Sequence, residues 1–387
     1  MKAIVTGSPV LVPCVSGDGL GVAVSSARGS GEPTKGWSTT VQDTPPLPTA
    51  EARAASSAPS HARLGVVMPA YNEGRWVRRA LDALEVAAAR ADWPLEVVVV
   101  DDGATDAESV AVLAEVSGRP HVRVVHQANA GRFAARRVGL EAVKADLVLL
   151  LDARVEVAPE SLERLRSAVS RGETVWNYDV VPGSRDLRAL FWTGITKVWW
   201  RDYFRTRRPV AFDLDDFDRY PKGTGAFLAP RSLLLEAAGE FASHFADASL
   251  ASDDTRLLRT VAAAEDIHLS PDVLCTHHAK SGRGSWSRQC FYRGTTFVDG
   301  YLTDPSRARG LLAGVLAVTA AGGVAAATLP RASAAAAALG CLTAGVGARW
   351  CGATPRESVA VGALSPAFGV LFGAGVVRGL RLAASSP

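Results

Sequence analysis

Four segments of this chain carry acids, the first of them with an aromatic ring, of types suited to binding a nucleotide. They read M-P-A-Y-N-E at 68–73, V-D-D-G-A-T-D at 100–106, L-L-L-D-A-R at 149–154 and S-D-D-T-R-L at 252–257. Tyr71 has a ring that can stack on a base, and Asp101 or Asp102 can accept hydrogen bonds from a base N–H or from ribose hydroxyls. Asp152 is a hard oxygen donor of the kind that holds a divalent cation beside a diphosphate. Asp254 is a carboxylate, a group that can take up a proton. With Asp253 beside it and a diphosphate nearby, its pKa is expected to be raised. Ser252–Asp254 equally suit a helix N-cap, and the two roles are compatible.

These side chains need a scaffold, and the apolar pattern supplies one. Residues 64–68, 95–100, 122–126 and 147–151 are short apolar runs, with helical stretches at 74–90 and 132–144. Strands alternating with helices predict an α/β, Rossmann-like domain with a mostly parallel sheet covered on both faces. Ligands of such sheets bind beyond the carboxyl ends of the strands. A lone D-D-G is more often a strand end with a turn. Three acidic segments ending successive strands are a stronger signal, because the sheet puts them on one edge.

In this combination the chain resembles the family-2 glycosyltransferases of the GT-A fold, over roughly residues 64–300. Their pattern is P-x-Y-N-E, D-D-G-S-x-D, an Asp-x-Asp metal motif and an acidic catalytic motif. The resemblance implies nucleotide contacts for Pro69, Tyr71, Glu73, Asp101 and Asp102. Residues 129–140, N-A-G-R-F-A-A-R-R-V-G-L, look like the family helix that opens near the nucleotide, which brings in Arg136. K-G-T-G-A-F-L-A-P-R at 222–231 is similar to the segment lining the sugar and acceptor site, which implicates Gly223, Thr224 and Gly225; a plain turn before a helix is the alternative. Asp254 aligns with the catalytic base, next to Asp253. Residues 276–294 look like a divergent form of the element that lies over the diphosphate. There His278, Arg288 and Arg293 are the expected donors to the developing charge. His277 and His278 would point to opposite faces of a strand, and His278 is taken as the one facing the site.

The main departure is Arg154, which stands where the family has its second metal-motif acid. Either Asp152 still holds Mg2+ or Mn2+, the expectation preferred here, or Arg154 pairs with the diphosphate and replaces part of the metal's charge. A solvated loop residue is the third reading.

Composition sets the surroundings. Hydrophobic residues make up 48%, enough for a sizeable core, and 42 basic against 39 acidic residues leave +3, which excludes a general nucleic-acid binder. The five cysteines include no C-x-x-C pair, so neither a zinc ribbon nor a disulfide framework is indicated. Residues 1–61 are rich in Ser, Gly, Pro, Thr and Ala and are expected to be disordered, or to reflect a start placed too early. Residues 62–305 form the expected GT-A domain. In 306–387, the runs 310–329 and 358–377 are uncharged and long enough to span a bilayer, and 332–348 is a shorter, Ala-rich run. They predict two or three membrane helices in a multi-pass protein of the cell membrane; a buried hairpin in a soluble protein is the alternative. Arg307 and Arg309 place the catalytic domain in the cytoplasm, while Arg378 and Arg381 disagree if all three runs cross. Residues 187–208, rich in Trp, Phe and Arg, fit either an interfacial helix or a helix packed on the domain.

The expected function is inverting transfer of a sugar from a nucleoside-diphosphate sugar to a hydroxyl on a glycan or lipid-linked acceptor. Transfer to polyprenyl phosphate, whose oxygen needs no base, is the alternative, and an inactive sugar-nucleotide binder is a third. A nucleotidyltransferase wants a Gly-rich basic loop after its first strand, and A-Y-N-E is not one.

Overall fold

A computed structural model describes residues 62–240, 245, 253–279, 282–302 and 330–385. The expected disorder of 1–61 and the apolar run at 310–329 lie outside these residues, as does the side chain of Asp253.

The strands of the described residues are β1 (Leu64–Ala70), β2 (Leu95–Asp101), β3 (Val122–His126), β4 (Leu147–Leu151), β5 (Val155–Val157), β6 (Trp176–Pro182), β7 (Val210–Phe212), β8 (Ala226–Pro230) and β9 (Ile267–His277). They form one sheet in the order β3-β2-β1-β4-β8-β6-β9-β5, with β7 on the first part of β9. β1 to β4 are mutually parallel where they pair, as the alternation of strands and helices predicts. β8 then runs antiparallel to β4, so the sheet is mixed beyond that point. Every residue of β1 and β4 is buried, because helices cover both faces. Each fully buried Val or Leu contributes about 1.5–3 kcal/mol.

The first helix, α1 (Gly74–Arg90), buries Val77, Ala80, Leu81, Leu84, Ala87 and Ala88, an apolar stripe of helical period. It packs with α2 (Ala107–Val116) on one face of the sheet. On the other face lies α3 (Arg132–Ala142), entered through Gly131 at φ 91. A β-carbon on Gly139 would sit 2.3 Å from Val67 Cγ1, so this glycine is what lets α3 press onto β1. After α4 (Ser161–Ser170) the chain crosses to the mixed half of the sheet.

Two registers bring the polar segments together. Ala70 pairs with Asp101, so the ends of β1 and β2 are level. Leu151 pairs with Ala226, and the Asp152 amide donates to the Gly225 carbonyl at 2.8 Å. The K-G-T-G segment is therefore laid directly against the end of β4.

A set of helices follows β6. α5 (Leu187–Trp199) and the single turn α6 (Arg201–Phe204) precede α7 (Arg231–Gly239) and α8 (Asp253–Ala264). α9 (Arg283–Phe297), α10 (Pro330–Trp350) and α11 (Pro355–Ser385) complete it. Phe191 of α5 is fully buried between Trp286 of α9 and Phe368 of α11. The packed reading of 187–208 therefore describes Phe191 and Trp192, whereas Leu187 and Val198 remain exposed. Glu357 opens α11 in a capping box with Thr354 and pairs with Lys197 at 2.7 Å.

Among the described residues one helix, α11, is long and apolar enough to cross a membrane. The expectation of two or three crossings thus has support from a single helix, and α10 does not add a second. Leu339, Leu342, Val346 and Val370 are large apolar side chains left exposed on α10 and α11.

The contact between α1 and α2 leaves no room for a side chain at Gly74, whose β-carbon would lie 2.6 Å from the Ser109 Cα. Gly74→Ala is expected to cost about 1–3 kcal/mol by forcing the two backbones apart. Chemical denaturation, read by tryptophan fluorescence, measures it.

Candidate active site

The site is built from loops that clamp one another. Asn72, at φ 53, accepts from the amide of Thr105 at 2.8 Å and from that of Asp106 at 3.2 Å, and donates to the Thr105 hydroxyl. This joins the turn after β1 to the turn after β2. Asp106 caps α2 by accepting from the Ser109 amide. Asp101 accepts from the Ala104 amide at 2.8 Å and sits 2.9 Å from His126 Nδ1. Asp102, 4% exposed, accepts from Gln127 Nε2 and from the amides of Ala130 and Gly131. Its carboxylate thus holds the loop that launches α3. Pro69 is buried in β1, and Tyr71 stands exposed just beyond the strand.

From that anchored start, Arg136 reaches over the strand ends. It is 3% exposed, and its fork bridges two carboxylates: Nη1 lies 2.9 Å from Asp254 Oδ1 and Nη2 lies 2.8 Å from Asp152 Oδ1. Arg132, one helical turn earlier, lies 3.8 Å from Asp152 Oδ2 and 3.9 Å from Asp254 Oδ2. The Thr224 hydroxyl, itself buried, donates to Asp254 Oδ1. Gly225 lies against the same carboxylate, since a β-carbon there would be in van der Waals contact with Asp152 Oδ2 at 3.4 Å. Asp152 and Asp254, 102 positions apart in the sequence, are therefore in one constellation.

The electrostatics of Asp254 run against the sequence expectation. Burial pushes its pKa up, but the charges of Arg132 and Arg136, with hydrogen bonds from Thr224 and Arg136, outweigh burial. They hold the carboxyl well below the usual carboxylate range, where the sequence reading expected a raised value. A carboxylate so stabilised in its charged form is a poor base.

Arg154 is neither solvated nor turned to Asp152. Its Nε lies 2.6 Å from Glu73 Oε1, its Nη1 is 3.4 Å from the His278 carbonyl, and its guanidinium lies over the Trp76 ring at 5.1 Å. Glu73 is thereby tied to the turn after β4. His278 stacks on Trp76 with centroids 4.7 Å apart and lies 3.1 Å from Glu156. Its neighbour His277 is the one in the field of Asp152. Burial holds His277 below the ordinary imidazole value, opposed by Asp152 and helped by Arg293, Arg154 and His278. Arg293 stacks on Trp192 at 4.4 Å, and Arg288 lies 3.5 Å from the Ser285 hydroxyl on its own helix. Gly223 donates its amide to Asn177 Oδ1 at 3.0 Å, which fixes the K-G-T-G loop on β6.

Sequence reasoning passed over Arg132, Asn72 and Lys222. Arg132 had a signal, being four residues before Arg136 and so on the same helix face. Asn72 had none beyond its place in the first motif. Lys222 lies 3.9 Å above the Phe217 ring, half-buried; burial, against the pull of Asp218, lowers its pKa to about 7.

Residues 65–227 match the family model described as Glycosyl transferase family 2. Over 127 residues the chain is 36% identical to the undecaprenyl-phosphate 4-deoxy-4-formamido-L-arabinose transferase of Pseudomonas savastanoi pv. phaseolicola, covering 32% of this chain and 36% of that one. The enzyme of the same description from Serratia proteamaculans is 33% identical over 132 residues, covering 34% of this chain and 39% of its own. The chain thus spans well under half the length of these curated relatives. Among solved structures, the mannosyltransferase PcManGT from Pyrobaculum calidifontis, in complex with GDP-Man and Mn2+, aligns with a TM-score of 0.52 at 21% identity. The alignment covers 82% of this chain and 87% of that one, a likeness in fold.

Arg136→Met leaves Asp152 and Asp254 facing each other with less compensation. It is expected to destabilise the domain by about 2–3 kcal/mol at pH 7, less than a fully buried pair because both carboxylates are partly exposed. The Asp254 contribution is present above the ordinary carboxylate pKa of about 3.9 and fades as pH falls below it. The gap between variant and wild type therefore narrows in denaturation curves taken at pH 4 and lower. Lys222 acts at the other end of the pH scale. Its lowered pKa means the unfolded chain binds more protons between pH 7 and about 10.4, so stability rises over that range. Lys222→Met should flatten the rise in melting temperature from pH 7 to pH 10.

Proposed function

We propose, from the premise that residues 65–227 of this chain are a family-2 glycosyltransferase domain of the GT-A fold, that the protein moves a sugar from a nucleoside-diphosphate sugar to polyprenyl phosphate. The observation that carries the choice of acceptor is the state of Asp254. Its carboxylate is held by Arg136 and Thr224 and kept charged, so it is ill suited to deprotonate a hydroxyl. A phosphate oxygen is already ionised near neutral pH and needs no base. The relatives, undecaprenyl-phosphate 4-deoxy-4-formamido-L-arabinose transferases by name, support the same reading.

In the proposed reaction an acceptor phosphate oxygen attacks the anomeric carbon. The bond from that carbon to the diphosphate oxygen breaks, the nucleoside diphosphate leaves with the electron pair, and the anomeric configuration inverts. Tyr71, exposed at the end of β1, is placed to meet the base. Pro69 and Glu73 shape the floor of that end, and Asp101 and Asp102 fix the loops around it. Gly223, Thr224 and Gly225 line the acceptor side beside Asp152. Asp254 acts as a positioning residue for Arg136, and the role of Asp253 is to share the start of α8 with it. His278, Arg288 and Arg293 are the candidate donors from the segment after β9, held against Trp76, Ser285 and Trp192 respectively. α11 attaches the domain to the cell membrane, where a lipid-linked acceptor resides, and the donor enters from the cytoplasm.

A divalent cation on Asp152 was the sequence expectation. The donor set fits it poorly. Asp152 Oδ1 is engaged by Arg136, Arg154 is turned to Glu73, and the described residues contain no cluster of three or more His, Cys, Asp or Glu groups. No step is routed through a metal.

The test offers radiolabelled nucleotide sugars with polyprenyl phosphate or the matching polyprenol to the purified full chain in detergent. Label is expected in the phosphate lipid and absent from the alcohol. Asp254→Asn is expected to retain transfer within about tenfold, whereas losing a general base would cost about 10²–10⁴-fold. Equal labelling of the alcohol would restore the hydroxyl acceptor.

A further inference from the structure

We propose that the turn between α10 and α11, together with α6, is a binding surface for the headgroups of anionic phospholipids, with the exposed stripe of α10 set among their acyl chains. The inference rests on the reading that α11 attaches the domain to a membrane. It adds the face that meets the membrane and the lipid chemistry that this face selects.

Two observations meet at this surface. The first is a cluster of arginines. Gly352 lies in the turn, and a β-carbon there would come 2.8 Å from the Phe204 carbonyl oxygen and 3.8 Å from the Arg205 Cα. The end of α6 is thus packed directly on the turn. Arg205 lies over the Trp350 ring at 4.5 Å. Arg201 and Arg205 are the two charges that act on Cys351 in the same turn. Arg349 and Arg356 flank it, and Arg349 donates to the Ala353 carbonyl at 3.2 Å. All four arginines are exposed. The neighbouring acids do not cancel them. Glu357 is buried and paired with Lys197, and Asp202 is shared between Arg201 and Arg219. Among the described residues Arg205, Arg349 and Arg356 form no ion pair.

The second observation is the apolar face that ends in this cluster. Leu339, Leu342, Val346 and Trp350 recur at helical spacing, so they share one face of α10, and all are more than half exposed. At 1.5 Å per residue the stripe is about 16 Å long, roughly half of a hydrocarbon core of about 30 Å. Between Arg331 and Arg349 the helix carries no charge. The stripe is therefore about one leaflet deep, closed by a tryptophan and a set of arginines. That order of side chains matches the order of layers from acyl chain to headgroup. Tryptophan favours the boundary, and guanidiniums pair with phosphate oxygens. A choline headgroup cancels its own phosphate, whereas a glycerol headgroup leaves the phosphate charge for the arginines. Each arginine near an anionic surface strengthens attachment by about fivefold.

Lipid retention by the purified full chain in detergent tests this. The chain would be titrated with dioleoyl phosphatidylglycerol and with dioleoyl phosphatidylcholine, and bound lipid counted by native mass spectrometry. Phosphatidylglycerol is expected to bind at least about tenfold more tightly. The double variant Arg205→Gln/Arg356→Gln is expected to lose about ten- to thirtyfold of that binding and to treat the two lipids alike. Arg205→Lys, which keeps the charge, should retain most of the preference. Arg381→Gln removes a charge at the far end of α11 and should leave the preference unchanged. Leu342→Gln should weaken both lipids without altering their ratio. Inorganic phosphate in large excess should not displace the lipid, which separates a headgroup carried on acyl chains from a free anion. Circular dichroism checks that these exposed-site variants stay folded. Equal affinity for the two lipids, a preference that survives in the double variant, or displacement by inorganic phosphate overturns the headgroup surface and leaves the membrane attachment standing. Copies that cross-link through α10 and exclude lipid also overturn it, because the stripe is then a protein interface. A chain that retains neither lipid and stays dispersed without detergent overturns both readings.

Discussion

One buried guanidinium ties the two halves of the sheet together. Arg136 starts on a helix packed against the parallel strands and ends between Asp152, at the tip of β4, and Asp254, on the first turn of α8. Its reach depends on what lies behind it. Asp102 fixes the loop at Ala130 and Gly131, Gly139 lets α3 sit flush on Val67, and the pairing of Leu151 with Ala226 delivers Thr224 to the same spot. A fully charged, nearly dry side chain is costly unless its partners are in position. The fold is therefore held to the arrangement that provides them, and the ligand site is a consequence of meeting that demand.

The parallel half of the domain was readable from residue pattern alone. The apolar runs at 122–126 and 147–151 coincide with β3 and β4, and the helical stretch at 74–90 coincides with α1. Such strands are buried on both faces, so they show as unbroken apolar blocks between turns. The mixed half was not legible. β6 carries Asn177 and Asp179 in its buried stretch, and each is bonded by partners remote in sequence: Gly223 to Asn177 Oδ1, Tyr203 and Arg207 to Asp179 Oδ2. A strand with acids and amides inside looks like a loop until those partners are known. Arg207 itself sits among the arginines read as a candidate membrane face.

The candidate site was legible in composition and partly misread in charge. The acids at the strand ends were identified from spacing, because strand ends on one edge of a sheet must be neighbours. The sign of the shift at Asp254 depended on how many cations surround it. The sequence showed Arg136 as a likeness to a family motif and showed nothing of its distance to Asp254. In the same way, Arg154 was read as a diphosphate partner or a solvated loop residue, whereas its partner Glu73 lies 81 positions earlier. Long-range pairs of this kind set local electrostatics, and linear proximity is a poor guide to them.

The glycines of α9 and α11 have a mechanical meaning. A β-carbon on Gly294 would lie 2.1 Å from the Phe372 carbonyl oxygen, and one on Gly375 would lie 2.0 Å from that of Phe291. The two helices therefore meet backbone to backbone, with no side chains between them to yield. Rods in such contact cannot slip past each other by the small amounts that rotamer changes absorb. Any tilt imposed on α11 is therefore delivered to α9, and from there to Arg293, as a movement of the whole rod.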